Sequence, residues 1–117
     1  MPAFPMSPDD DVLRVHCRPV RLPDGTPAAV VHLYGEIDTD TTATLTAALL
    51  PVVDQYPLVS CDLGGLRFFG AAGVNALAEA GRRAATRGHR LELCNARGLT
   101  RRVLTIAGLD RVLPVSE

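Results

Sequence analysis

The sequence predicts one α/β domain, a mixed and mostly parallel sheet of about four or five strands with about three or four helices. Three observations carry that prediction. Strand-like apolar runs alternate with segments of helical period in the order β-β-α-β-α-β-α. The first two runs are separated by Pro23-Asp24-Gly25, a turn signal that makes them an antiparallel hairpin. A chain of 117 residues has room for one core, and no repeat or shift in composition marks a boundary.

Residues 1–10 carry three prolines with Ser7, Asp9 and Asp10 and read as a flexible tail before a domain over 11–117. Val12–Cys17 alternates and reads as a strand. A second strand follows at Ala28–Tyr34, closed by Gly35. Thr39 to about Tyr56 is helical, with Leu45, Ala48, Leu49 and Val52 at i, i+3, i+4 and i+7 and with Asp38 or Thr39 as N-cap. Pro51 removes an N–H and crowds the preceding turn, which predicts a kink or a stop near Leu50. Leu58–Leu63 is a buried strand that ends in a turn at Gly64-Gly65. Ala71–Arg87 is the second helix, with Val74, Leu77, Ala78, Gly81 and Ala85 facing in and Gly88 past its end. Arg90–Cys94 is a short alternating strand. The third helix runs from about Arg97 to Ala107, with Leu99, Val103 and Ile106 facing in and Gly108 as its stop. Val112–Val115 adds a last edge segment, limited by Pro114.

Composition removes several function classes. The net charge of −1 offers no basic field for direct nucleic-acid binding or for an anionic membrane. Aromatic residues are 4% and Trp is absent, which argues against stacking on bases. All 12 basic residues are Arg, so Schiff-base chemistry and a P-loop lysine are excluded. Cys17, Cys61 and Cys94 are an odd set inside apolar runs, which suits small hydrophobes rather than a disulfide framework. No signal-peptide pattern opens the sequence, and no apolar run approaches the roughly 20 residues of a membrane span. The expected location is the cytoplasm.

Catalytic and metal chemistry have no local support. His16, His32 and His89 lack the i, i+4 spacing of a helical metal site, and no Cys-x-x-Cys occurs. There is no Gly-x-Ser-x-Gly elbow. Gly64, Gly65 and Gly70 do not have dinucleotide-fingerprint spacing. Glu36 and Asp38 end a strand, where one solvated carboxylate and one helix cap is the simpler reading than acid–base work. No catalytic residue, metal or cofactor is expected. The helix start at Gly70-Ala71-Ala72-Gly73 does stand out, because its unpaired N–H groups and dipole would suit a phosphate carried by serine. This chain has alanine at both candidate positions.

Three segments in fixed order resemble one family. Val31-His32-Leu33-Tyr34-Gly35-Glu36-Ile37-Asp38 is similar to the strand and Gly-Glu-hydrophobic-Asp segment of STAS domains, the fold of bacterial anti-sigma factor antagonists. Asp62-Leu63 through Gly73 resembles their signature ending in Asp-Ser-Ser-Gly. Arg102-Val103-Leu104 through Gly108-Leu109-Asp110 resembles their last-helix segment.

The resemblance implies a STAS-like domain that binds an anti-sigma factor, a histidine-kinase-like ATPase that phosphorylates the second serine of the signature. The family's Asp, Ser and Ser fall on Gly70, Ala71 and Ala72, and its Gly on Gly73. Ala72 therefore holds the acceptor position without a hydroxyl. What is implied is the binding surface without regulation at that position, in a transcription-regulating, signalling protein that is a monomer or weak dimer. The expected partner site is Asp38, Thr39 and Asp40 with Arg67, Phe69, Gly70, Ala71, Ala72, Gly73 and Val74. Phe69 is read chiefly as packing under the helix start. The alternative is a small-molecule or nucleotide sensor or scaffold that uses the N–H groups of residues 70–73 as an anion cradle. Which anti-sigma and sigma factors are involved is not legible.

Overall fold

Arg14–Arg21 (β1) and Pro27–Ile37 (β2) form the expected hairpin, paired without interruption from Arg14 opposite Tyr34 to Arg21 opposite Pro27. Its turn holds Gly25 at φ 92°, and the Asp24 carboxylate accepts the Thr26 N–H at 2.9 Å. This is a computed structural model, and it describes residues 13–116. The tail expected over 1–10 lies outside the described residues.

Thr42–Gln55 (α1), Leu58–Phe69 (β3), Ala71–Thr86 (α2), Arg90–Cys94 (β4) and Gly98–Ala107 (α3) follow, then a 3-10 turn at Leu109–Arg111 and Val115–Ser116 (β5). The five strands lie in sequence order across one sheet. β1–β2 is antiparallel and the other three pairs are parallel. The fold is thus the expected α/β domain with a mixed, mostly parallel sheet.

Consecutive right-handed crossovers across strands in this order leave all three helices on one side. The burial pattern agrees. Val31, Leu33, Val59, Cys61, Leu63, Leu91 and Leu93 are buried and join the core with Leu45, Leu49, Val53, Leu77 and Leu104 of the helices. The alternate positions His32, Ser60, Asp62, Glu92 and Cys94 are half-buried, and Tyr34 is exposed.

Several local expectations are overturned. Gly35 does not close β2. It sits inside the strand at φ 103°, next to a register shift between Gly35 and Glu36. Gly64-Gly65 is not a turn either, because β3 runs on to Phe69. β3 carries one extra residue between Asp62 and Gly65 and another between Leu66 and Phe68, so both irregularities are bulges rather than ends. Gly65 permits the first, since a Cβ there would run into the Tyr34 ring and the Leu33 carbonyl.

Pro51 does not stop α1, which continues to Gln55. Pro51 is exposed, so water can satisfy the carbonyl it leaves unbonded. α1 starts at Thr42 rather than Thr39, and its fully buried stripe is Leu45, Leu49 and Val53. α2 buries Gly73, Leu77, Ala80 and Ala84 rather than a face centred on Val74, and Ala85 is exposed. α3 departs most. Thr100 and Leu104 face in, while Leu99 and Ile106 are 76% and 83% exposed. The Thr100 methyl suffices for the core, and the neighbouring side of α3 is left in water. The expected last strand begins only at Val115, after Pro114, and pairs with β4 over two residues.

Away from the sheet, α1 and α2 are clamped by charge. Arg83 donates to both oxygens of Asp54, at 2.9 and 2.6 Å, and the Arg87 Nε adds a third bond at 2.9 Å. The three cysteines are free thiols, Cys17 exposed, Cys94 half-buried and Cys61 buried. Burial pushes the Cys61 thiol pKa strongly up.

Candidate functional site

β2 and β3 end side by side, with Ile37 opposite Phe69, so the β2–α1 loop and the start of α2 become neighbours. The Gly70 N–H donates to the Ile37 carbonyl at 3.0 Å and fastens the two together. Asp38 is bonded within the loop. Its carboxylate accepts the N–H groups of Asp40 at 3.0 Å and Thr41 at 3.2 Å. The Thr41 hydroxyl donates to the Glu36 carbonyl at 3.0 Å and accepts the Asp38 N–H at 2.9 Å. Neither Asp38 nor Thr39 is the helix cap. That position is Thr41, whose side chain makes no capping bond. Thr39 and Asp40 are left exposed beside Gly70.

Gly70 caps α2 with no side-chain bond, and the first turn of the helix contains no acid. The positive end of the helix dipole is therefore uncompensated by any side chain of that turn. Ala71 is exposed and Ala72 half-buried, and they diverge. Ala72 opens onto a shallow groove toward α1, shared with Thr42, Thr46, Asn75 and Glu79. Ala71 opens onto a groove of about 540 Å³ toward α3, walled by Phe68, Val74, Val103 and Ile106 above Phe69. Gly73 is buried against Ile37 and Phe69, and its role is packing.

The expected site residues are thus together in space, but not equally available. Phe69 is 4% exposed and belongs to the core as the floor of the groove, which agrees with its chief reading as packing under the helix start rather than with an exposed contact. The outward aromatic is Phe68, 51% exposed. The bulge at Arg67 turns Arg67 and Phe68 both outward, and the alternation of a regular strand could not reveal which phenylalanine that would be. Arg67 lies on the surface, with its guanidinium 3.9 Å from the Glu36 carboxylate. Val103 and Ile106 are additions to the expected site, because their spacing in the sequence reads as an inward face.

A second polar cluster, also unforeseen, lies on the sheet face away from the helices. Asp62 accepts from Gly64 N–H at 2.8 Å and from Asn95 Nδ2 at 3.0 Å, and His32 Nδ1 sits 3.2 Å from it. His16 is directly across from His32, with ring centroids 6.2 Å apart. Among the described residues, no group of three or more His, Cys, Asp or Glu side chains is arranged to hold a metal. Nor is any described helix long and apolar enough to cross a membrane.

Comparison with known proteins extends the picture. A family model described as "Mlab, STAS domain" matches residues 22–114. An anti-sigma factor antagonist from Mycobacterium paratuberculosis is similar in structure, with a TM-score of 0.76 and 29% identity over 94% of this chain and 88% of that one. The anti-sigma factor antagonist SpoIIAA in its unphosphorylated form aligns with a TM-score of 0.66 and 21% identity, over 77% of this chain and 80% of its own. The STAS domain of a SulP transporter from Vibrio cholerae shares the fold, with a TM-score of 0.61 and 18% identity over 77% of this chain and 72% of that one. No curated relative matches the chain by sequence.

Proposed function

The chain belongs to the STAS-domain family whose model matches residues 22–114, and on that premise we propose that it is a non-catalytic, protein-binding regulator of the anti-sigma factor antagonist kind. The observation that carries this reading is the start of α2, where Ala71 and Ala72 present a neutral surface between two grooves. The 29% identity to the Mycobacterium paratuberculosis antagonist supports it. The partner we infer is an anti-sigma factor with a histidine-kinase-like ATPase fold, met in the cytoplasm. No hydroxyl side chain occurs between Arg67 and Ala85, so the usual serine position cannot carry phosphate, and a phosphate on this surface would fall on the neighbouring Thr39, Thr41 and Thr42. Binding is then not regulated by phosphate at Ala72. The sensor reading has less behind it. No basic side chain lines either groove at the start of α2, where the polar side chains are Thr42, Thr46, Asn75 and Glu79.

Ala71→Asp and Ala72→Asp test the reading. A carboxylate in the first turn of a helix is favoured by about 0.3–1 kcal/mol, so the melting temperature should hold or rise. In an interface the same group must be desolvated without a partner, which costs several kcal/mol. Affinity for a purified histidine-kinase-like ATPase that binds the wild type should fall by roughly a hundredfold or more. A well-folded variant of both positions that binds unchanged would sink the antagonist reading for this surface.

A further inference from the structure

We propose that His16 and His32, which face each other across the β1–β2 hairpin, bind a transition-metal dication of the zinc class, with Asp62 as the carboxylate that orients His32. The site lies on the sheet face away from the helices, apart from the start of α2, and does not depend on the antagonist reading.

The register of the sheet builds the site. His16 is paired with His32 between β1 and β2, and His32 with Asp62 between β2 and β3, so the three stand in one row across the sheet. Directly opposite residues of an antiparallel pair have Cβ atoms about 4.5–5.5 Å apart, close enough for two imidazoles to reach one ion from the same side. The two ring centroids are 6.2 Å apart. Metal–nitrogen bonds of about 2.0–2.1 Å hold two rings that share an ion at about 5–6 Å, centroid to centroid. His16 is exposed, so its ring can close the small difference by rotation. A search for i, i+4 spacing cannot find this pair, because strand pairing rather than helical period joins it.

The chemistry of His32 suits a ligand. Its Nδ1 lies 3.2 Å from the Asp62 carboxylate, an acceptor only, so the ring proton is held on Nδ1 and the lone pair on Nε2. The two nitrogens lie on different edges of the ring, which directs Nε2 away from Asp62. A carboxylate behind a ligating histidine fixes its tautomer and raises its basicity. Asp62 is itself held by the Gly64 N–H at 2.8 Å and Asn95 Nδ2 at 3.0 Å. Among the described residues, neither His16 nor the Nε2 of His32 has a hydrogen-bond partner. His89, by contrast, has its Nδ1 on the Val53 carbonyl at 2.8 Å. Two imidazoles leave the other positions of the ion to water, so the site is smaller than the groups of three side chains that are absent among the described residues. Imidazole favours zinc, copper and nickel over magnesium and calcium. Arg14 and Arg18 flank His16 along β1 and oppose a dication, but both are exposed, where salt screens them, and Asp62 is half-buried.

The test uses the full chain without an affinity tag, with Zn²⁺ and Co²⁺ as probes. Calorimetry should give one Zn²⁺ per chain, and Mg²⁺ should not compete. His16→Ala and His32→Ala should each weaken Zn²⁺ binding at least roughly tenfold, whereas His89→Ala should leave it unchanged. His16 is exposed on an edge strand, so its alanine variant should keep the metal-free melting temperature. Asp62→Asn should weaken binding about tenfold while Zn²⁺ still perturbs the imidazole NMR signals of both His16 and His32, because Asp62 acts through His32 rather than on the ion. Wild-type affinity in His16→Ala overturns the proposal, and so does perturbation of only one of the two imidazoles. A thiolate-to-Co²⁺ absorption band overturns it by bringing in Cys17 or Cys94 as a ligand. A stoichiometry of one Zn²⁺ to two chains overturns it by giving the ion to an intermolecular contact. Unchanged affinity in a folded Asp62→Asn protein overturns the part assigned to Asp62.

Discussion

Gly73 is the position where a single added carbon has nowhere to go. A Cβ there would lie 2.7 Å from the Ile37 Cγ2 and 2.7 Å from the Phe69 ring. Both neighbours are buried in the core, so neither can swing into solvent. Alanine is the better helix former by about 1 kcal/mol, but overpacking a closed core costs about 1–3 kcal/mol. Gly73→Ala should therefore lower stability in urea unfolding, and an equal or higher stability would refute the packing account. The neighbouring positions differ in kind. Ala71 and Ala72 are legible as uncharged residues of a helix start from the sequence alone. Phe68 and Phe69 are not separable there, because the bulge at Arg67 decides which ring faces the core, and a bulge is set by pairing with β2. Asp38 is legible as a carboxylate near a helix start, but its actual bonds are to the loop N–H groups of Asp40 and Thr41.

Pro51 tests what an element gains from its surroundings. An interior proline costs a helix about 3 kcal/mol relative to alanine, yet α1 runs through it. The helix survives because Leu45, Leu49 and Val53 anchor it on both sides of the break. Pro51→Ala should restore an N–H for the Ala47 carbonyl while loosening the unfolded chain by about 0.4–1 kcal/mol. The net expectation is a gain of about 2–2.6 kcal/mol, read as a rise of several degrees in melting temperature. No gain would mean that the local backbone has already adjusted fully to the ring. β1 shows the opposite use of proline. It is an edge strand, and it exposes Pro19 together with Arg14, Arg18 and Arg21. Such residues discourage strand-to-strand aggregation.

At the scale of the molecule, one layer of helices covers one face of the sheet, and the ends of α1 and α2 are tied by Asp54, Arg83 and Arg87. The Arg83 fork, helped by Arg87, holds the Asp54 carboxyl at about 2, below its ordinary value of 3.8. A depressed carboxylate pKa stabilises the fold above the unfolded value and loses that contribution as pH falls through the folded one. The difference in melting temperature between wild type and Asp54→Asn should thus stay constant above pH 3.8 and shrink as pH approaches 2. The groups are at the surface, so the difference is small and should fall further in high salt. A gap that persists undiminished at pH 2 would show that the Asp54→Asn substitution acts through packing instead.

Fold class, the order of the elements, the opening hairpin and the family were all legible in the amino-acid sequence, because they depend on hydrophobic period, turn residues and local motifs that act over a few positions. So was the place of Gly70 to Val74 at a helix start. The run of β2 and β3 through their glycines was not, since a glycine reads as a break until its strand partner shows it to be a bulge. Nor was the side of α3 that meets the core. Leu99, Val103 and Ile106 share one side of that helix, while Thr100 and Leu104 lie on another that carries fewer apolar atoms. The packing against β3 and α2 selects the second side, and the first is left to form the groove wall. Helical period tells how side chains are distributed around an axis. Which of two adjacent sides faces inward depends on where the neighbouring elements stand, and that is a property of the assembled fold.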